Sequence, residues 1–138
     1  MRKKRKSPVR SAALKAGFRS GLEHRVWKNL KQRHVKDAAY EAIKISYVIP
    51  ASNHSYTPDI ILPNGIILEV KGRLVKSDRD KHLLIKEQHP NLDIRFVFQS
   101  ANNKIRKGSK TTYAQWCDKN DIKWCEKIVP DVWLKEKK

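Results

Sequence analysis

The chain has 138 residues, enough for one domain around a single core, and 31 Lys and Arg against 14 Asp and Glu give it a net charge of +17. Such a balance calls for a polyanionic partner, nucleic acid or an anionic membrane surface. No apolar run approaches the roughly 18 residues that span a bilayer, and no apolar segment follows the basic start, which is therefore not read as a secretory signal.

Six of the positives, Arg2, Lys3, Lys4, Arg5, Lys6 and Arg10, fall in the first ten residues with no acid among them, and the remainder still holds 25 bases against 14 acids. Residues 1–16 read as a basic, disordered arm that can gain order on nucleic acid. Residues 17–138 read as one domain without repeats or linkers. Cys117 and Cys125 have no CxxC and no paired His spacing, so they are expected as core thiols in a reducing cytosol rather than a zinc site or disulfide.

In chain order, Ser20-Gly21-Leu22-Glu23 has the form of a capping box. Leu22, Val26 and Leu30 continue it as a helical stripe from about Gly21 to Arg33. The β-branched and aromatic run Ala42 to Pro50 predicts a strand, and polar Ala51 to Tyr56 a turn. Ile60-Ile61-Leu62 and Ile66-Ile67-Leu68 flank Pro63-Asn64-Gly65. A three-residue hairpin loop wants a type I turn followed by a left-handed residue, which Pro63 and Gly65 supply. A second helix is expected over Ser77 to Gln88, capped by Ser77 and facing inward through Lys81, Leu84 and Ile85. Asp93 to Gln99 predicts a strand, Lys104 to Lys110 a basic loop, Thr111 to Lys119 a helix, Ile122 to Trp124 a short strand and Pro130 to Leu134 a helical turn. This order implies a mixed α/β layer fold.

The hairpin register has a chemical consequence. With Leu62 facing Ile66, stepping outward brings Asp59 opposite Glu69 on one face, and Lys71, two residues on, shares that face. A two-residue loop would turn Asp59 the other way. Two close carboxylates in an apolar hairpin repel unless a cation joins them or one is protonated. Oxygen ligands of this kind suit Mg²⁺ or Mn²⁺ with substrate phosphate, and an adjacent Lys can hold water and offset phosphate charge. Pro58-Asp59, Glu69-Val70-Lys71 and the net charge together read as a metal-dependent phosphodiesterase acting on DNA. Glu23 is accounted for without chemistry as the N3 residue of the capping box, with a ligand role the less favoured alternative. None of His24, His34, His54, His82 and His89 forms a zinc-type pair. Basic and histidine residues near the motif, Arg19, His54, Lys76, Arg79, Lys81, His82, Lys104, Arg106 and Lys107, are the candidates for DNA contact.

Phe18 to Glu23, Tyr47 to Asp59, Leu62 to Ile66, Glu69 to Gly72 and Lys81 to Pro90 resemble, in one collinear alignment, phage endonuclease I, the junction-resolving family of T-odd podophages within the PD-(D/E)xK nucleases. The resemblance implies a restriction-endonuclease-like core with a mixed sheet flanked by helices. It implies a domain-swapped homodimer in which elements before about residue 47 join the partner's half, with the Tyr47 to Pro50 strand in the bridge. It also implies two Mg²⁺ or Mn²⁺ ions per site. Asp59, Glu69 and the Val70 carbonyl would be ligands, Lys71 would stand beside the water, and Glu23 would reach the second ion from the partner chain. Residues 31–46 depart from the family pattern, with Ala38 and Ala39 in a more acidic region. The expected activity is resolution of four-way and branched DNA in the cytoplasm of an infected bacterium. A sequence-specific or homing-type nickase on the same core and a non-catalytic architectural DNA binder are the alternatives.

Overall fold

The computed structural model describes residues 17–49 and 51–137, so the expected basic arm, 1–16, lies outside the described residues. Helix α1, Gly21–Gln32, starts where the sequence places it: the Ser20 hydroxyl accepts the Glu23 N–H at 3.1 Å. It buries Val26 and Leu30. Strand β1, Ala39–Tyr40, follows, and then a separate two-stranded ladder of β2, Ile45–Ile49, and β3, Ser52–Tyr56. Of the expected turn Ala51 to Tyr56 only Ala51 is turn: Ser52 to Tyr56 pairs rung by rung with β2, and its polar side chains are exposed because only Tyr56 faces a core.

The expected hairpin is present. Strand β4, Ile60–Ile61, pairs antiparallel with β5, Ile67–Lys71, as Ile60 with Leu68 and Ile61 with Ile67. The Leu62 N–H donates to Ile66 O at 2.8 Å, and Gly65 takes φ +89° with its N–H on Leu62 O. A side chain at that φ would be strained, which is why Gly closes the loop. Asn64 then donates to the Trp133 and Glu136 carbonyls, each at 2.8 Å, and fastens the loop to the end of the chain.

Helix α2, Lys76–Gln88, begins one residue before Ser77, and its N-cap Val75 offers no side-chain bond. Its buried residues are Arg79, His82 and Ile85; the expected Ile85 is inward with Leu84 partly buried beside it, but the centre of the inward face is shifted onto Arg79 and His82. Strand β6, Ile94–Phe98, is parallel to β5, and β7, Trp124–Glu126, is parallel to β6 and lies two residues beyond the expected strand. Between them α3, Tyr113–Lys119, carries a complete capping box from Thr112 and Gln115. Helix α4, Asp131–Lys135, is the last described element with regular structure.

The main sheet has the order β1-β4-β5-β6-β7. One face packs Leu68, Val70, Val97 and Cys125 against Val26 and Leu30 of α1 and Trp133 of α4. The other packs Phe96 and Phe98 against Tyr113, Trp116 and Cys117 of α3, and Ile67 against Ile85 of α2. The result is the expected mixed sheet flanked by helices. Both cysteines are free and buried, and burial pushes each thiol up to about 12.

Candidate active site

Strand β5 emerges from the hairpin with Glu69 and Lys71 on the side of α2 and Leu68 and Val70 on the side of α1. The β4–β5 ladder stops at Ile60 and Leu68, one step short of Asp59 and Glu69. Asp59 turns its carboxylate into the next rung instead, where Oδ2 accepts the Val70 N–H at 2.8 Å. Its own carbonyl accepts the Glu41 N–H at 3.0 Å. Asp59 and Glu69 are each 4% exposed. The register therefore brings them together, with the last step made by a side chain rather than by backbone pairing.

Glu69 is ringed by donors. The Tyr56 hydroxyl bonds Oε2 at 2.5 Å, and Lys71 Nζ stands 3.5 Å and His82 Nε2 3.8 Å from Oε1. Burial alone would raise this carboxyl. The His82 ring, the Lys71 ammonium and the Tyr56 hydroxyl outweigh it and hold Glu69 below its ordinary value. Burial would also lower the Lys71 ammonium, but Glu69 and Asp78, the latter 3.2 Å away, raise it above the usual lysine value. It is a fixed cation. His82 is locked edge-on between Tyr56 and Phe96, with ring centroids at 5.1 and 4.8 Å.

Asp59 has a different environment. Burial and the nearby Glu69 push its carboxyl up to about 8, and the single Val70 N–H does not compensate. Around it gather Glu23 and Glu41, with one oxygen of each of the three carboxylates within 4.8 Å of the others. Glu23, 7% exposed, comes from the first turn of α1. Ser20 caps the helix as the sequence suggests, but the Glu23 carboxylate does not return the expected capping-box bond to the Ser20 N–H. It takes the Tyr40 hydroxyl on Oε2 and the Ser20 hydroxyl at 3.3 Å on Oε1. Arg19 lies at the mouth of this cluster, with Nε 2.8 Å from Glu41 and Nη2 3.9 Å from Asp59.

Glu41, Tyr40, Tyr56 and Asp78 were not singled out by sequence reasoning. The only signal for Glu41 is that it is the lone acid between Asp37 and Asp59. Tyr56 falls there at the end of an expected turn, Tyr40 between expected elements, and Asp78 in the first turn of an expected helix.

The candidate DNA contacts separate. Arg19, with a side chain 67% exposed, stands at the site. Lys81 is half-buried with its ammonium over the Tyr56 ring. Lys76 is exposed but paired with Asp80. His54 is exposed on β3, bonded to Ser52 at 2.8 Å. Lys104, Arg106 and Lys107 are exposed on the expected basic loop. Arg79 and His82 depart from the expectation of a surface role: they are 8% and 3% exposed. Arg79 spends its guanidinium on the Leu74 and Ile105 carbonyls, and His82 faces Glu69, because the inward face of α2 is rotated onto them. No helix of the described residues is long and apolar enough to cross a membrane.

Comparison with known proteins agrees with this chemistry. The chain is 55% identical to Endonuclease I of Escherichia phage T7 over 121 residues, 88% of this chain and 80% of the relative. It is 53% identical to Endodeoxyribonuclease 1 of Enterobacteria phage T3 over 121 residues, 88% of this chain and 79% of that one. The sequence model of the phage endonuclease I family matches residues 5–138. The chain belongs to the phage endonuclease I family.

Proposed function

We propose that this protein is a metal-dependent, structure-selective DNA endonuclease of PD-(D/E)xK type that resolves four-way (Holliday) and other branched junctions by paired phosphodiester hydrolysis. The observation that carries the reading is the convergence of Asp59, Glu69 and Lys71 at one end of β5, with Glu23 reaching Asp59 from α1.

The donor set fits a hard divalent cation. It is all oxygen, largely buried, and includes an aspartate that burial and the neighbouring Glu69 keep protonated up to about pH 8. Asp59, Glu69 and the Val70 carbonyl would hold one Mg²⁺ or Mn²⁺, and Glu23 with Asp59 a second. Such ions supply Lewis-acid charge to the phosphate and acidify a water. The chain's own residues do the rest. Tyr56 and His82 orient Glu69, and Asp78 and Glu69 hold Lys71 charged where it can orient water and offset phosphate charge. Arg19, His54, Lys76, Lys81, Lys104, Arg106 and Lys107 grip the DNA backbone, so recognition follows shape more than base edges.

The active form is a domain-swapped homodimer with shared sites. Within one chain β2 and β3 close on Ala51 at φ +94°, a left-handed conformation that costs a residue with a side chain about 1–2 kcal/mol. Opening the ladder there lets β2 pair in the same register with β3 of a second copy, which relieves that residue. Helix α1 and β1 then pass to the partner, Glu23 comes from the other subunit, and two sites related by a two-fold axis suit paired cuts. The setting is the cytoplasm of an infected bacterium.

Cleavage with Mg²⁺ of a four-way junction against linear duplexes of several sequences tests the activity. Symmetric cuts near the branch point, independent of sequence, are expected. Cutting at one linear sequence would mean a sequence-specific nickase, and binding without cutting an architectural protein. Mixing inactive Glu23→Gln and Asp59→Asn chains under subunit exchange should restore one working site per heterodimer, and no recovery would sink the swap.

A further inference from the structure

Beside the carboxylate site runs a groove of about 350 Å³ lined by side chains of only one sign of charge. Arg25, Lys28, Asn29 and Gln32 of α1 form one wall, and Gln99 and Lys127, at the ends of β6 and β7, form the other. Its apolar floor is Leu22 and Ile128, the latter 59% exposed. No acid lines it.

Several other cations among the described residues are already employed. Arg33 pairs with Asp131, Arg95 with Asp93 and Glu136, Lys76 with Asp80, and Lys31 covers Trp27. Arg25, Lys28 and Lys127 have no carboxylate partner among the described residues, although all three are exposed. Arg25 donates to the neutral Gln99 side chain at 3.0 Å. Lys127 sits at φ +60°, held by its N–H on Phe98 O at 2.8 Å, a backbone conformation that a Lys adopts only at a cost.

The groove also opens at the right place. The Gln99 N–H donates to the carbonyl of Lys71 at 3.3 Å, and Arg25 is two residues past Glu23 on α1. From Leu22 to Gln32 the helix rises about 15 Å at 1.5 Å per residue. That matches roughly four nucleotides of one strand at 3.4 Å each. Amide side chains between the cations suit phosphate and sugar oxygens, which carry no sequence.

We infer that this groove is a backbone-binding track for the duplex flanking the cut phosphate, with Arg25, Lys28 and Lys127 as its phosphate contacts. The inference rests on the reading of the chain as a DNA endonuclease and assigns that substrate a path over the surface. In the exchanged dimer the track is built from α1 of one chain and the β6 and β7 ends of the other.

The test is equilibrium binding, in EDTA, of a four-way junction and a linear duplex across a salt series. It compares wild type with Arg25→Gln/Lys28→Gln/Lys127→Gln and with a triple variant of equal charge on the α2–α3 side, Lys86→Gln/Lys119→Gln/Lys123→Gln. Each lost phosphate contact should lower the slope of log K against log salt by about 0.9. The groove triple should therefore be shallower by between about 2 and 3 on both DNAs, and the other triple by less than about 1. Equal slopes for the two triples would overturn the track. Should the triple fail to fold, Lys28→Gln alone, at an exposed position, should flatten the slope by about 1, and no change would overturn it. Wild type that binds duplex and junction equally would instead sink junction selectivity, with the slope comparison still deciding the groove.

Discussion

Glu69, on β5, and Asp59, just before β4, are equally buried, yet they are prepared for opposite protonation states. Glu69 has Tyr56, Lys71 and His82 around it and is held ionised. Asp59 is buried with one backbone N–H, the exposed Arg19 guanidinium 3.9 Å away and three carboxylates for neighbours, and is pushed up to about 8. Two like groups driven apart in this way mark a site where one charge is fixed by the fold and the other awaits a cation. The side of Glu69 is built in advance. On the proposed metal-dependent reading, the side of Asp59 is completed when a cation binds.

The largest break in this contrast should come from the fixed side. Glu69→Gln or Lys71→Ala should lower single-turnover junction cleavage by roughly 10³-fold or more, while gel-shift affinity for the junction survives. Unchanged turnover in either variant would remove that residue from the site.

Next comes Asp59, through pH. A carboxyl whose folded pKa is raised contributes stability that is fully present below its unfolded value, near 4, and lost as pH rises through about 8. The melting temperature of metal-free wild type should therefore fall relative to Asp59→Asn between pH 5.5 and 9, by several degrees or more. Mg²⁺ or Mn²⁺ should restore it more at pH 9 than at 5.5, because the ion needs the ionised form. Parallel curves for the two proteins would refute the raised carboxyl.

Tyr56→Phe removes a buried donor from Glu69. It should cost about 1–3 kcal/mol in denaturant unfolding and erode the difference between the two carboxylates. A neutral result would mean that Lys71 and His82 suffice.

The smallest effect should come from Arg19→Gln at the mouth of the Glu23, Glu41 and Asp59 cluster. With the competing guanidinium gone, Mn²⁺ binding by calorimetry should tighten several-fold. Weaker binding would show instead that Arg19 holds Glu41 in place.

Much of this site was legible before any coordinates. Pro63 and Gly65 fix a three-residue loop, the loop fixes the register, and the register places Asp59, Glu69 and Lys71 together; the structure keeps that order as far as Ile60 and Leu68. Both cysteines were rightly read as core. Less legible was β3, whose polar residues look like a turn because pairing with β2 leaves nearly all of them in solvent. Helix α2 misled in another way: His82 and Arg79 are polar in type but face inward, where Glu69 and two backbone carbonyls satisfy or attract them.

The sequence by itself determined the chemistry of one strand pair, because turn geometry and period-two alternation are local and leave little freedom. It also determined that the partner is a polyanion, since charge is a sum over residues and needs no fold. Only the tertiary structure decided that Glu23 is more than a helix cap, that Glu41 joins it, and that Tyr56 and His82 hold Glu69 down while Asp59 floats up. Those facts depend on groups 10 to 36 residues apart in the chain meeting in a dry place. Burial and neighbouring charge set a carboxyl's pKa, and neither is written in the spacing of a motif.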